Sequence, residues 1–271
     1  MKVCLDPGHG GYDSGAVGYG LQEKDITLDI CLKLKPLLEY NGISTNLTRD
    51  GDYAPGHLEG NLNGELLARV DIAEKNQVDL FVAVHVNSGG GTGEEILVMG
   101  LGGRAETAAN KVLTYLVQTG AWLNRGVKVQ NVLVLKETSM PAILTENGFI
   151  DNMDDAVKLK DPSFRLALAV AHARGICDYF GVQYRVGGND VLEVAVLLFS
   201  KEDYWCGADV AAKNGNCAIF VRPLDQSVPK EAMTAKMLIV IGGPTTKHPS
   251  EILLSGTNKY DTAAAVAKYL V

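Results

Sequence analysis

The chain has 271 residues, 46% hydrophobic and 21% charged, and its 25 Lys and Arg against 32 Asp and Glu give a formal charge of −7. That length suits one large domain, or a large one with a small one, and no apolar run approaches the roughly 18 residues needed to span a bilayer. The whole acidic excess lies in residues 1–181. Bulk charge therefore excludes attraction to nucleic acid or anionic polymers, and any polyanion must be recognised by shape and placed contacts.

In chain order the pattern predicts a strand at 2–6, a helix at 26–40, a strand at 43–48, a helix at 63–76 and a strand at 79–86. Ile26, Ile30, Leu34, Leu37 and Leu38 share one face at helical period, with Asn41-Gly42 as the stop. Leu66, Leu67, Val70 and Ala73 set the second helix by the same spacing. The run Asp79 to His85 is apolar at both parities, as expected of a strand covered on two faces. Further strands are predicted at 94–99, 132–135 and 142–146, and helices at 104–119 and 163–180. Gly181 and the polar stretch Tyr184 to Asn189 punctuate the chain, so residues 1–181 form one unit, 182–190 a linker and 191–271 a second unit. The second unit restarts the alternation with strand 191–199, helix 202–213, strands 217–222 and 237–241, and helix 259–270. The expected fold class is α/β, a twisted mixed sheet flanked by helices with a second, smaller α/β domain.

Cys4, Cys31, Cys177, Cys206 and Cys217 are scattered, odd in number and never in a C-x-x-C pair. Neither a disulfide framework nor a thiolate zinc site is expected, and synthesis in a reducing cytoplasm fits. Met1 leads straight into a strand without a basic leader and an apolar stretch, so no Sec export is expected.

His9 ends the first strand inside Gly8-His-Gly-Gly11, where glycines allow close backbone approach. Three possible partners lie just beyond a strand or ahead of a helix: Glu23, His85 and Glu146. In an open α/β sheet such positions share the carboxyl edge of the strands. Two imidazoles and a carboxylate suit zinc with a fourth position for water, and a further glutamate handles protons. Taken singly, each has a plainer role: an incidental histidine in a tight turn, helix-dipole compensation at Glu23, or an ion pair between Glu146 and Arg69. Gly18-Tyr-Gly20 ahead of a helix opens a dinucleotide reading, but Glu23 stands where the third glycine belongs and would repel pyrophosphate. His57, His172 and His248 have weaker settings and are left out of the metal set.

The blocks Leu5-Asp-Pro-Gly-His-Gly-Gly11, Glu23-Lys24, Leu47-Thr-Arg-Asp50, Arg69 with Ile72-Ala73, His85-Val-Asn87, Arg125-Gly-Val-Lys128, Val134-Leu135 and Glu146 to Asn152 run in order through the first unit. In them the chain resembles the zinc-dependent N-acetylmuramoyl-L-alanine amidases of the type 3 family. That resemblance implies His9, Glu23 and His85 as zinc ligands and Glu146 as the catalytic glutamate. Val86 stands where many members have alanine, and no long helix is inserted between His85 and residue 104, so an open site is expected. More loosely, Tyr204, Ala208 to Ala212, Val240 to Gly243 and Ser255 to Ala263 resemble one copy of the type 2 clostridial cell-wall-binding repeat. Because such repeats pack in tandem, a single copy implies self-association through the C-terminal unit, along with binding to a secondary wall polymer. The combined layout is that of a phage endolysin, made in the host cytoplasm and reaching peptidoglycan once the membrane is permeabilised. A non-catalytic wall-binding protein and a nucleotide-binding enzyme are the competing readings. Nucleic-acid and membrane partners are not expected.

Overall fold

The computed structural model describes residues 1–56, 62–120, 122–185, 192–215, 217–230 and 232–271. It divides into two units, one of Met1–Val117, Trp122–Lys160 and Leu168–Arg185, the other of Gln118–Ala121, Asp161–Ala167 and Val186–Val271. Of the expected joint at 182–190, only 182–185 is described, and His57 lies outside the described residues.

The first unit contains β1 (Lys2–Pro7), β2 (Val17–Gly18), β3 (Leu21–Gln22), α1 (Glu23–Tyr40), β4 (Ser44–Leu47), α2 (Leu62–Lys75), β5 (Leu80–Asn87), β6 (Glu94–Val98) and α3 (Arg104–Leu116). It continues with β7 (Asn124–Val129), α4 (Leu133–Lys136), β8 (Ala142–Phe149), α5 (Met153–Lys160) and most of α6 (Pro162–Tyr179). Six strands form one sheet in the order β4-β1-β5-β8-β6-β7. The four from β4 to β8 are parallel, β6 runs antiparallel to β8, and β7 runs parallel to β6, so the sheet is mixed as expected.

The apolar stripe of α1, Ile26, Ile30, Leu34, Leu37 and Leu38, is buried, and α1 packs along β1, β4 and β5. Asn41 caps its end and Gly42 follows in the left-handed conformation, the stop that the sequence suggests. Val70 and Ala73 of α2 bury themselves with Val134 and Leu135 of α4 against Cys4, Phe81, Ala83, Leu97 and Leu144 of the sheet. Leu67 does not join that stripe. It is 44% exposed, being one residue and so about 100° round the helix from Leu66.

The strand expected at 132–135 is the short helix α4, and the edge strand is β7 instead. A run of four apolar residues cannot separate strand from helix by periodicity, whereas Arg125-Gly-Val-Lys128 is half-exposed and carries no apolar signature. Helix α5 lies outside the expected elements, although Asn152 Oδ1 accepts from the Asp154 and Asp155 amides as a helix cap does. Tyr19 and Gly20, both with positive φ, turn the two-residue hairpin between β2 and β3. The glycines of the dinucleotide reading therefore serve a tight turn.

The second unit holds β9 (Val194–Leu198), α7 (Tyr204–Lys213), β10 (Ala218–Val221), β11 (Met237–Ile241), β12 (Glu251–Leu254) and α8 (Lys259–Leu270). Its four strands form a parallel sheet in the order β10-β9-β11-β12. Val210, Ala211 and Val266 cover one side with Val196, Leu198, Ile239 and Ile241, and a second cluster gathers Ala195, Leu197, Phe220, Leu238 and Val240. Strand β12 adds to the expected elements. Only Leu254 in it is buried, so its period-2 signal is weak.

Candidate metal centre

The carboxyl ends of three adjacent parallel strands converge here: β1, which delivers His9, β5, which carries His85, and β8, which carries Glu146. His9 has a positive φ, in the left-handed region that is uncommon outside glycine. Two buried arginines hold this stretch. Arg49 donates to the carbonyls of Pro7 and Gly8, and Arg69 donates to those of Pro7 and His9 while pairing with Asp6 at 2.7 Å and Glu65 at 3.0 Å. Arg69 is thereby committed, and the ion pair allowed for it with Glu146 does not form. Gly8 and Gly15 permit the close packing: a Cβ on Gly8 would lie 2.3 Å from the His85 ring, and one on Gly15 would lie 2.6 Å from both Glu23 and His9.

Glu23, the first residue of α1, is buried between the two imidazoles. Its Oε1 accepts from the Val86 amide at 3.0 Å and meets His85 Nδ1 at 2.9 Å. Its Oε2 accepts from the Ala16 amide at 2.9 Å and meets His9 Nε2 at 3.1 Å. The two rings stand edge to face with centroids 5.0 Å apart. His9 Nδ1 in turn meets Asp13 Oδ2 at 2.7 Å, which fixes the ring from behind.

Burial would raise the Glu23 carboxyl, but hydrogen bonds with His85 and His9, and then their charges, hold it well below the usual carboxylate range. Burial would lower the His9 imidazole, yet bonding to Glu23, the charge of Glu23 and then Asp13 push it up to about 9. One ligand atom from each of His9, Glu23 and His85 lies within 4.8 Å of the others. Two imidazoles and an ionised carboxylate at that spacing form a donor set fit for a divalent cation.

Glu146 is the register partner of His85 on one side and of Glu95 on the other, which puts all three side chains on one face of the sheet. Its Oε2 is sealed from solvent and has no hydrogen-bond partner among the described residues. Burial is the main cause that raises its carboxyl to about 7; His85 opposes the shift, and Glu23 and Glu95 add to it. A carboxyl that exchanges a proton near neutrality is what acid and base work requires.

The remaining described histidines lie elsewhere. His172, buried in α6, bonds Thr145 Oγ1 at 3.0 Å and the Leu168 carbonyl at 2.8 Å, and burial lowers it to about 4, so it is a neutral structural group. His248 meets the Ala235 carbonyl in the second unit. Two residues of the site are absent from the sequence-derived candidates. Asp13 follows His9 by four residues in the same glycine loop, and that proximity is the signal that could have found it. Glu95 takes Arg125 and Lys128 on one oxygen and Asn87 on the other. No local signal marks Glu95, because its setting depends on β6 running antiparallel beside β8.

Residues 3–178 match the model of the N-acetylmuramoyl-L-alanine amidase family. The chain is 39% identical over 223 residues to the sporulation-specific N-acetylmuramoyl-L-alanine amidase of Bacillus subtilis (strain 168), covering 81% of this chain and 82% of that protein. It is 37% identical over 195 residues to the endolysin of Bacillus phage SPP1, covering 69% of each. Among solved structures, the catalytic domain of CwlV, an N-acetylmuramoyl-L-alanine amidase from Bacillus (Paenibacillus) polymyxa var. colistinus, aligns with a TM-score of 0.61 and 33% identity. That alignment covers 67% of this chain and 99% of the domain.

Proposed function

The chain belongs to the N-acetylmuramoyl-L-alanine amidase family, and from that premise we propose that it hydrolyses the amide between the lactyl group of N-acetylmuramic acid and L-alanine of the stem peptide, with zinc as cofactor. One observation carries the reading: His9, Glu23 and His85 bring their ligand atoms within 4.8 Å of one another, directly beside Glu146. Held by those three side chains, zinc would supply a Lewis acid for the lactyl carbonyl and a water made acidic near neutrality. Asp13 keeps the His9 ring in place, and Glu23 keeps its charge between the rings. Glu146, which is only partly buried, takes the proton of the attacking water and returns it to the departing amine of L-alanine. Strand β5 joins β6 through residues 88–93, too short a link for a covering helix, which supports an open site.

The test is a digest of purified peptidoglycan with and without a chelator, followed by mass analysis. New amino-terminal L-alanine should appear, vanish after chelation and return with zinc. Digestion indifferent to the chelator would refute the metal, and fragments without new amino termini would refute the bond. A wall-binding protein without activity would release nothing.

The likeness to the SPP1 endolysin supports a lytic role, in which the protein reaches the wall after membrane permeabilisation. Expression inside a susceptible cell should then lyse it only when a pore former is co-expressed. For residues 191–271 we infer adhesion to a secondary wall polymer and self-association, on the strength of their own parallel sheet and their repeat-like blocks. Full-length protein should scatter light as an oligomer at micromolar concentration and lose affinity for walls stripped of that polymer. A monomer that binds stripped walls equally would count against both.

A further inference from the structure

We propose that Arg125 and Lys128 form a subsite that reads the free α-carboxylate of the second stem-peptide residue, an inference that rests on the amidase reading above. Both side chains pair with the same oxygen of Glu95 while remaining 29% and 41% exposed. Two cations on one carboxylate leave one unit of positive charge over. Arg125 faces Glu95 through Nε, and no protein acceptor takes its two terminal nitrogens among the described residues. That leaves the half of the guanidinium fork suited to a planar carboxylate. The guanidinium also lies 4.8 Å from the centre of the Phe149 ring, a contact that restricts its orientation.

The location matches the substrate. Glu95 stands opposite Glu146 across β6 and β8, and its other oxygen accepts from Asn87, two residues beyond His85. The cations on β7 are thus two strands from the proton-handling carboxylate, about 10 Å at the backbone because neighbouring strands are about 4.8 Å apart, and both long side chains reach back over β6 to Glu95. An extended peptide advances about 3.3–3.6 Å per residue. The α-carboxyl of the residue after L-alanine lies within about two such steps of the departing amine, and the two side chains span the remainder. In peptidoglycan that residue is a glutamic acid joined through its side chain, whose α-carboxyl is free in some walls and a carboxamide in others.

Glu95 is buried and needs a cation to offset its charge, but one is enough, so the second, more exposed cation on the same oxygen is surplus to that need.

The experiment compares two polymeric peptidoglycans that differ only in whether that α-carboxyl is free or amidated, with release of amino-terminal alanine as the readout. The wild-type protein should cleave the free acid with a kcat/KM about 10- to 100-fold higher, the range of a charge-assisted hydrogen bond. Lys128→Met and Arg125→Gln should each shrink that ratio, and Arg125→Lys should restore only part of it because the fork is gone. Lys128 is the more exposed, so its variant carries the test if Arg125→Gln does not fold. Equal rates of the wild type on both polymers, or an unchanged ratio in a folded Lys128→Met, would overturn the subsite and leave the amidase reading standing. Failure to cleave either polymer would overturn the amidase reading and the subsite with it.

Discussion

Replacing Glu146 with glutamine should stabilise the metal-free protein above neutral pH while removing its activity. The carboxyl is ionised in the unfolded chain above about 4.5, but burial raises it to about 7 in the fold. Between those values the folded state holds the extra proton, so stability falls as pH rises. The penalty is absent below 4.5 and fully present above 7. A difference of about 2.5 pH units corresponds to roughly 3 kcal/mol at about 1.36 kcal/mol per unit. Glutamine has nearly the same shape and no charge, so the variant escapes this cost. Urea melts of metal-stripped wild type and Glu146→Gln at pH 5 and pH 8 provide the assay. Because a little of the penalty is already present at pH 5, the stability difference should grow by about 2.5 kcal/mol in favour of the variant between those conditions, whatever its constant packing contribution. The activity arm is separate: turnover should drop about 10²- to 10⁴-fold with zinc content unchanged. A pH-independent stability difference would refute the burial argument, and near wild-type digestion would refute the proton-shuttle role.

Metal affinity should rise with pH. In the metal-free site His9 stays protonated up to about 9, so metal binding displaces a proton below that value and no longer does above it. Calorimetry at pH 7 in buffers of different ionisation enthalpy should show release of about one proton, and a buffer-independent heat would contradict it. Asp13→Ala should leave the fold intact and weaken zinc affinity about 10- to 100-fold, measured by chelator competition, because His9 loses the group that orients its ring. Arg69→Ala should destabilise the first unit by about 3–5 kcal/mol, because Asp6 and Glu65 would be left buried without their cation. A denaturant midpoint close to wild type would show that those carboxylates find other partners.

Local periodicity was enough to reveal the alternation of strands and helices, and punctuation was enough for several of their ends. Ile26 to Leu38 bury one stripe of α1, and Asn41-Gly42 stop it, because both effects act within a few residues and are written in spacing. His9, Glu23, His85 and Glu146 were legible as candidates for a related reason. His9 follows the end of β1, Glu23 opens α1, and His85 and Glu146 lie in the carboxyl-terminal halves of β5 and β8, which run past the expected strand ends to Asn87 and Phe149. Parallel strands gather such positions toward one edge whatever their separation along the chain.

The tertiary structure alone decided the rest. Whether 132–135 was strand or helix depended on the neighbours waiting to cover Val134 and Leu135, and the α2 face resolved it. The partner of Arg69 was open in the sequence, and the sheet gave it Asp6 and Glu65. Glu95 reached Arg125 and Lys128 only because β6 reverses direction beside β8 and β7 follows it, a pairing between distant segments that no short-range pattern records. Sequence spacing determined which groups could face the same way. Burial and strand order, which are properties of the assembled sheet, determined which of them met and what charge each carries.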